Sequence, residues 1–335
     1  MRKLKCFPLS NPNYYYYIMP HIFQVSQLWF GEGERIVSTS LMSVTPTLAV
    51  IFASVLSPLI TSDQVDRIKY LNICYASPSL LCLVFGFLFC YSSAPPTPPT
   101  KSAENLVDKN NFSFRQYLSS LRQVLSNKSV LGFMIFIGSS LAIFNALVSQ
   151  LSQMMCSTGY SAQEVGFTTA LVMLSGVVGG VVSGVVARRL GRPVQVLKIL
   201  YCLSSLTLII SLLLLREENL LVPTILSLVV FGFCLMGCFP LALELGAEET
   251  FPVSPVYSET CVHFPAHAYG FVLIVLCNSL ARESSPDIVD TCGEGIRPRD
   301  YTVFFYFLMG QVTLCSCLLL YLINPALRRQ VYDKK

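Results

Sequence analysis

Eight apolar runs, each close to the length needed to cross a bilayer, decide what this chain can fold into. They cover roughly residues 36–60, 69–91, 130–154, 165–187, 194–215, 220–244, 257–280 and 302–323. An α-helix needs about 20 apolar residues to span the hydrocarbon core, and inside that core its backbone groups must bond within the segment. The runs are apolar all round rather than striped, so they read as spans and not as surface helices. They also lack the ten-residue alternation of a membrane barrel. Composition agrees: 13% of residues are charged, where a soluble domain carries about one-quarter. The expected fold class is all-α, a polytopic membrane bundle whose first partner is the lipid bilayer.

The few charges sit in the loops, with no basic patch interleaved with aromatics, so no nucleic-acid partner is expected. With alternating loops and the last tail in the cytoplasm, the inner segments 92–129, 188–193 and 324–335 hold twelve Lys and Arg. The outer loops hold six: Arg67, Lys69, Arg216, Arg282, Arg297 and Arg299. That bias predicts cytoplasmic termini, although the loop at 282–300 runs mildly against it. The thirteen cysteines contain no Cys-x-x-Cys and lie mostly within spans, where a thiol behaves as a small hydrophobe. Cys156 and Cys292 both fall on the outer side. A disulfide between them and two free thiols both stay open.

The spans are unevenly spread, two before residue 92 and six after 129. The expected division is a remnant of an N-terminal helical half (1–91), a cytoplasmic linker (92–129), a six-helix C-terminal half (130–323) and a cytoplasmic tail (324–335). The linker contains APPTPPTKSAENLVDKNN, Pro-rich and charged, then a short amphipathic stretch, Phe112–Leu125, expected to lie on the membrane surface. Six spans after a long central loop is the layout of one half of a twelve-span transporter built from two repeats. About four helices of the first half are then missing, so the chain reads as truncated at its start.

Polar groups inside spans are expensive and suspect for function. Asn145, Gln150 and Gln153 lie in the third run; Glu259, His263 and His267 lie in the seventh at i, i+4, i+8, along one helix face. Pro265 is expected to break that helix between the histidines. The stripe can line a solute path, pass protons or be structural, and a metal or haem iron would need a third ligand. No metal ion or cofactor is expected, and no catalytic residues: the chain shows no Gly-rich phosphate loop, nucleophile elbow or zinc-spaced Cys/His set. Gly176, Gly180 and Gly184 repeat every four residues and predict a close helix–helix contact. Three acids, Glu244, Glu248 and Glu249, close the sixth run on the cytoplasmic side, where bases are the default. They read either as a latch to Arg35, Arg188, Arg189 and Arg192 or as a solvated turn.

Several segments carry a resemblance. LELGAEETFPV resembles the loop between helices ten and eleven of the feline leukaemia virus subgroup C receptor-related transporters, solute carrier family 49 of the major facilitator superfamily. WFGEGERIVSTS (Trp29–Ser40) is similar to that family's junction between helices four and five, and SSAPPTPPT (Ser92–Thr100) is nearest to its A3 branch. CSTGYSAQEVGF (Cys156–Phe167) and NPALRRQ (Asn324–Gln330) match as well. GVVARRLGRP resembles the superfamily's gating loop: Gly184, Arg189, Gly191 and Arg192 match, while Arg188 stands where the pattern has Asp.

The resemblance implies a major facilitator bundle and transport of a small organic solute by alternating access, with choline- or ethanolamine-like cations or haem as cargo and the plasma membrane as location. The glutamine expected in helix eleven aligns with His267, that of helix five with Thr47, and Phe144 lies near the aromatic position of helix seven. These departures imply a cargo other than choline, or a changed site. The competing reading is a short, non-transporting membrane protein that binds or regulates a membrane partner.

Overall fold

The computed structural model describes residues 29–30, 32–61, 67–89, 96–97, 128–217, 220–250, 255–283 and 299–322. Within these segments the side chains of 32–46, 89, 128–130, 188, 244, 247–250, 255–261, 283 and 322 lie outside the description. Eight long helices follow in order: α1 Glu32–Thr61, α2 Ile68–Phe89, α3 Lys128–Ser157, α4 Ala162–Leu190, α5 Pro193–Leu214, α6 Leu221–Thr250, α7 Pro255–Leu280 and α8 Thr302–Leu322. Between α7 and α8 two short strands, β1 Arg282–Glu283 and β2 Arg299–Asp300, pair antiparallel as a hairpin, Arg282 opposite Asp300. Among the described residues, seven helices are long and apolar enough to cross a membrane; α1 contributes a shorter apolar stretch, Thr47–Thr61. The eight runs of the sequence therefore become eight helices, and the bundle expected from them is the fold observed. The amphipathic stretch Phe112–Leu125 and most of the linker lie outside the described residues.

Local sequence sets the helix ends. Ser161 caps α4 with a full capping box: its side chain accepts from the Glu164 N–H, and the Glu164 side chain returns to the Ser161 backbone. Two N–H donors that a helix start leaves free are satisfied this way. At the other end Gly191 takes a left-handed φ of 62° and its N–H reaches Ala187 O. Glycine adopts that conformation at little cost. Pro193 then opens α5, where a missing N–H is harmless.

The core lies among α3 to α8. It includes Phe133, Ile143, Leu147, Leu151, Tyr201, Leu208, Phe231, Leu273 and Phe304. Two helices meet with almost nothing between their backbones. A methyl on Gly179 of α4 would collide with the Phe233 carbonyl of α6, and one on Gly232 would sit 2.7 Å from Val172 O. Ser175 Oγ crosses the same seam to Val229 O at 2.9 Å. Small residues allow such an approach, and dispersion and polar contacts supply the attraction that lipid does not. The seam differs from the four-residue stripe expected: Gly176 faces Met236 closely, Gly180 meets nothing nearer than 3.9 Å, and Gly184 is open. Gly166 gives α1 a similar approach to α4, beneath Ser54 and Pro58.

Candidate functional site

Helix α7 lies along α3. A methyl on Gly138 would find Val262 O at 3.5 Å, and one on Gly270 would find Ala142 O at 3.6 Å. Val262, Ala266 and Gly270 are buried, so one residue on in each turn brings His263 and His267 to the next face. The two imidazoles stack at 6.0 Å with 22° between planes. His263 is half-buried and meets Phe239 of α6 edge to face at 5.8 Å. Its Nδ1 is buried and has no hydrogen-bond partner among the described residues. His267 is exposed. α7 runs unbroken through Pro265, against the expected break. A proline removes one backbone donor, and in a membrane helix neighbouring elements can absorb that loss. The pair sits near the start of the apolar span Val262–Leu280, not at its middle.

The remaining solute-path candidates are dispersed. Phe144 is buried and packs on Phe231 at 6.2 Å, so its ring is inside the core rather than on an open face. Asn145 is half-buried. Gln153 is exposed and accepts from Tyr301 Oη at 3.3 Å, far along α3 from the histidines. The Glu259 side chain lies outside the described residues.

A shallow recess opens between α3, α5 and α6, lined by Phe136, Ser140, Tyr201, Cys238 and Phe239 among others. Phe239 is shared: one side of it bounds the recess and the other meets His263. Neither Phe239 nor Tyr201 stood out in the sequence, since an aromatic in an apolar run carries no signal of its own; only packing brings Phe239 to the histidines. Below it, Tyr201 meets Phe136 edge to face at 4.5 Å.

Most of the expected cytoplasmic gate cannot be placed. The side chains of Arg35, Arg188, Glu244, Glu248 and Glu249 lie outside the described residues. Arg189 is exposed, Arg192 reaches Gln195 Oε1 at 3.5 Å, and Gly191 works as the left-handed cap. At the opposite end, which carries the hairpin, polar links are dense. The Leu220 N–H donates to Tyr160 Oη at 3.1 Å. Arg216 donates to Tyr306 Oη at 2.8 Å and lies over that ring at 5.6 Å. Asp300 accepts from the Thr302 N–H at 2.8 Å. Hydrogen bonds from Thr302, helped by Arg216 and Arg282, hold the Asp300 carboxyl below the usual carboxylate range. Cys156 is disulfide-bonded there; Cys292 lies outside the described residues.

Comparison with known proteins gives one family and one fold. The family model for the Major Facilitator Superfamily matches residues 17–277. Solute carrier family 49 member A3 of Xenopus tropicalis is 27% identical over 81% of this chain and 55% of its own length. The Danio rerio member A3 is 25% identical over 91% of this chain and 63% of its own. The choline/ethanolamine transporter flvcr2b of Danio rerio is 23% identical over 78% of this chain and 54% of its own. The chain thus spans little more than half the length of these relatives. Among solved structures, the E. coli fucose:proton symporter FucP superposes with a TM-score of 0.55 at 12% identity, over 90% of this chain and 73% of that one, a likeness of fold.

Proposed function

Because the chain belongs to the Major Facilitator Superfamily and groups with solute carrier family 49, we propose that it carries a small organic cation of the choline/ethanolamine kind across a membrane by alternating access. The observation that carries this reading is the histidine pair on α7: an exposed His267 stacked on a half-buried His263 whose Nδ1 has no partner among the described residues. A buried polar atom without a partner costs about 1–3 kcal/mol, a cost that a bound solute can remove. The name of flvcr2b supplies the solute class.

In this reading the Gly184–Arg192 loop, with Arg35 and the acids Glu244, Glu248 and Glu249, closes the cytoplasmic side, and both termini face the cytoplasm of a cell whose plasma membrane holds the protein. Cys292 pairs with Cys156 on the outer side. Mass spectrometry of non-reduced peptides checks that pairing: a crosslinked Cys156–Cys292 peptide is expected, and a Cys292 free to alkylation without reductant sinks it.

Uptake tests the transport reading. Cells expressing the chain should accumulate labelled choline or ethanolamine with saturation, and His267→Ala should reduce that uptake with the amount of protein at the surface unchanged. Haem, the other cargo the family suggests, serves as the competitor. Absence of uptake of all three solutes from cells with the protein at the surface would refute transport and favour the role of a membrane partner.

A further inference from the structure

Resting on the transport reading above, we infer that the His263/His267 pair selects the head group of the solute: it accepts hydrogen bonds from a primary ammonium and so favours ethanolamine-like over choline-like cations. A neutral imidazole has one donor and one acceptor nitrogen. His263 Nδ1 is enclosed by protein, yet nothing among the described residues bonds to it. The elements around it explain why. α6 presents the ring of Phe239. α3 presents Gly138, whose contact is with the α7 backbone. The next turn of α7 presents the His267 ring, nearly parallel, so that the in-plane nitrogens of the two rings do not point at one another. Glu259, one turn earlier, lies outside the described side chains.

The two candidate head groups differ in what they can offer this atom. A primary ammonium brings three N–H donors. A trimethylammonium brings none and is held by aromatic faces. Among the described residues, Phe239 is engaged edge to face with His263, Phe144 is committed to Phe231 in the core, and Phe136 and Tyr201 pack on one another in the neighbouring recess. What the pair offers is one unpartnered nitrogen, His263 Nδ1. His267 stands on the open side of the pair, so a head group that engages or turns its ring meets His263 behind it. The pair then acts as the specificity element, with His267 at the entrance and His263 Nδ1 as the inner acceptor.

Two variants separate hydrogen bonding from packing. His263→Phe keeps a ring and removes the acceptor; His263→Gln loses the ring and keeps one. Initial rates of ethanolamine and choline uptake would be measured separately in proteoliposomes holding the full chain. The wild type should prefer ethanolamine. His263→Phe should raise the ethanolamine KM about ten-fold or more, the worth of a hydrogen bond to a charged group, with kcat and the choline KM little changed. His263→Gln should recover much of the preference. An equal ethanolamine-to-choline ratio in wild type and His263→Phe would overturn the inference, as would a wild type that prefers choline. Thermal stabilisation of the detergent-solubilised chain by each amine keeps the two readings apart. Stabilisation by ethanolamine that is lost in His263→Phe, without uptake by the wild type, would support the selection and sink the transport reading. Neither uptake nor stabilisation would sink both.

Discussion

The α4/α6 seam and the α3/α7 contact are both built on glycine, yet they tolerate mass very differently. Across the first, backbone meets backbone: Gly179 lies against the Phe233 carbonyl, and a methyl on Gly232 would fall 2.7 Å from Val172 O. Across the second, methyls on Gly138 and Gly270 would rest at 3.5 and 3.6 Å, ordinary van der Waals distances. The contrast teaches which helices move together. A seam with no free space is bistable at best and resists sliding, so α4 and α6 behave as one body. α7, which carries the histidines, sits against α3 with room for a methyl group, and a shift of α7 along α3 costs no backbone collision.

The largest effect should come from filling the seam. Gly179→Ala should destabilise the detergent-solubilised protein by about 3 kcal/mol or more, the upper range for overpacking, read as a lower melting temperature and lost monodispersity on size exclusion. An unshifted melt would break the contrast at its rigid end.

The hairpin end provides the middle case. The Asp300 carboxyl is held below its usual range by Thr302 and the nearby arginines. A group whose pKa is lowered by folding adds stability above its unfolded value, about 4, and loses it as pH falls through the lower folded value. Asp300→Ala, which removes the acceptor that Asn would keep, should therefore cost about 1 kcal/mol at neutral pH, as for a lost helix cap, and the gap from wild type should narrow only at strongly acidic pH. A gap that persists unchanged in acid would show that the carboxylate charge contributes nothing.

The smallest effect is expected at the histidine-bearing contact. Gly270→Ala should shift the melt by less than the hairpin variant, and in a helix interior alanine offsets part of any strain by about 1 kcal/mol over glycine. A loss as large as that of Gly179→Ala would erase the difference between the two contacts.

Legibility in the sequence followed the range of the forces involved. The eight runs were readable because bilayer thickness fixes helix length, and the Gly191 cap sits in a loop whose glycines could be matched. The seam was harder. A strict four-residue step picks Gly176, Gly180 and Gly184, but a helix face advances by three and four in turn, so Gly176 and Gly179 make the contact. The i, i+4 histidines were visible, and their stacking follows from helix geometry. Phe239, 24 positions before His263, was not, because only the packing of α6 beside α7 joins them. Phe144 shows the converse: the resemblance placed it near an aromatic position of the family's helix seven, while its burial against Phe231 depends on a helix the local pattern cannot see.

The hydroxyls of α5 have a consequence for how the protein is made. Ser204, Ser205, Thr207 and Ser211 each donate to a carbonyl of their own helix, three or four residues back. Their polar demand is met before any neighbour arrives, so this segment can leave the insertion machinery for lipid alone. The bonds from Ser211 to Ser227 Oγ and from Ser316 to Ser205 Oγ are then added as newly inserted helices find one another. Biogenesis can thus proceed one span at a time, with assembly deferred until the later helices have been synthesised.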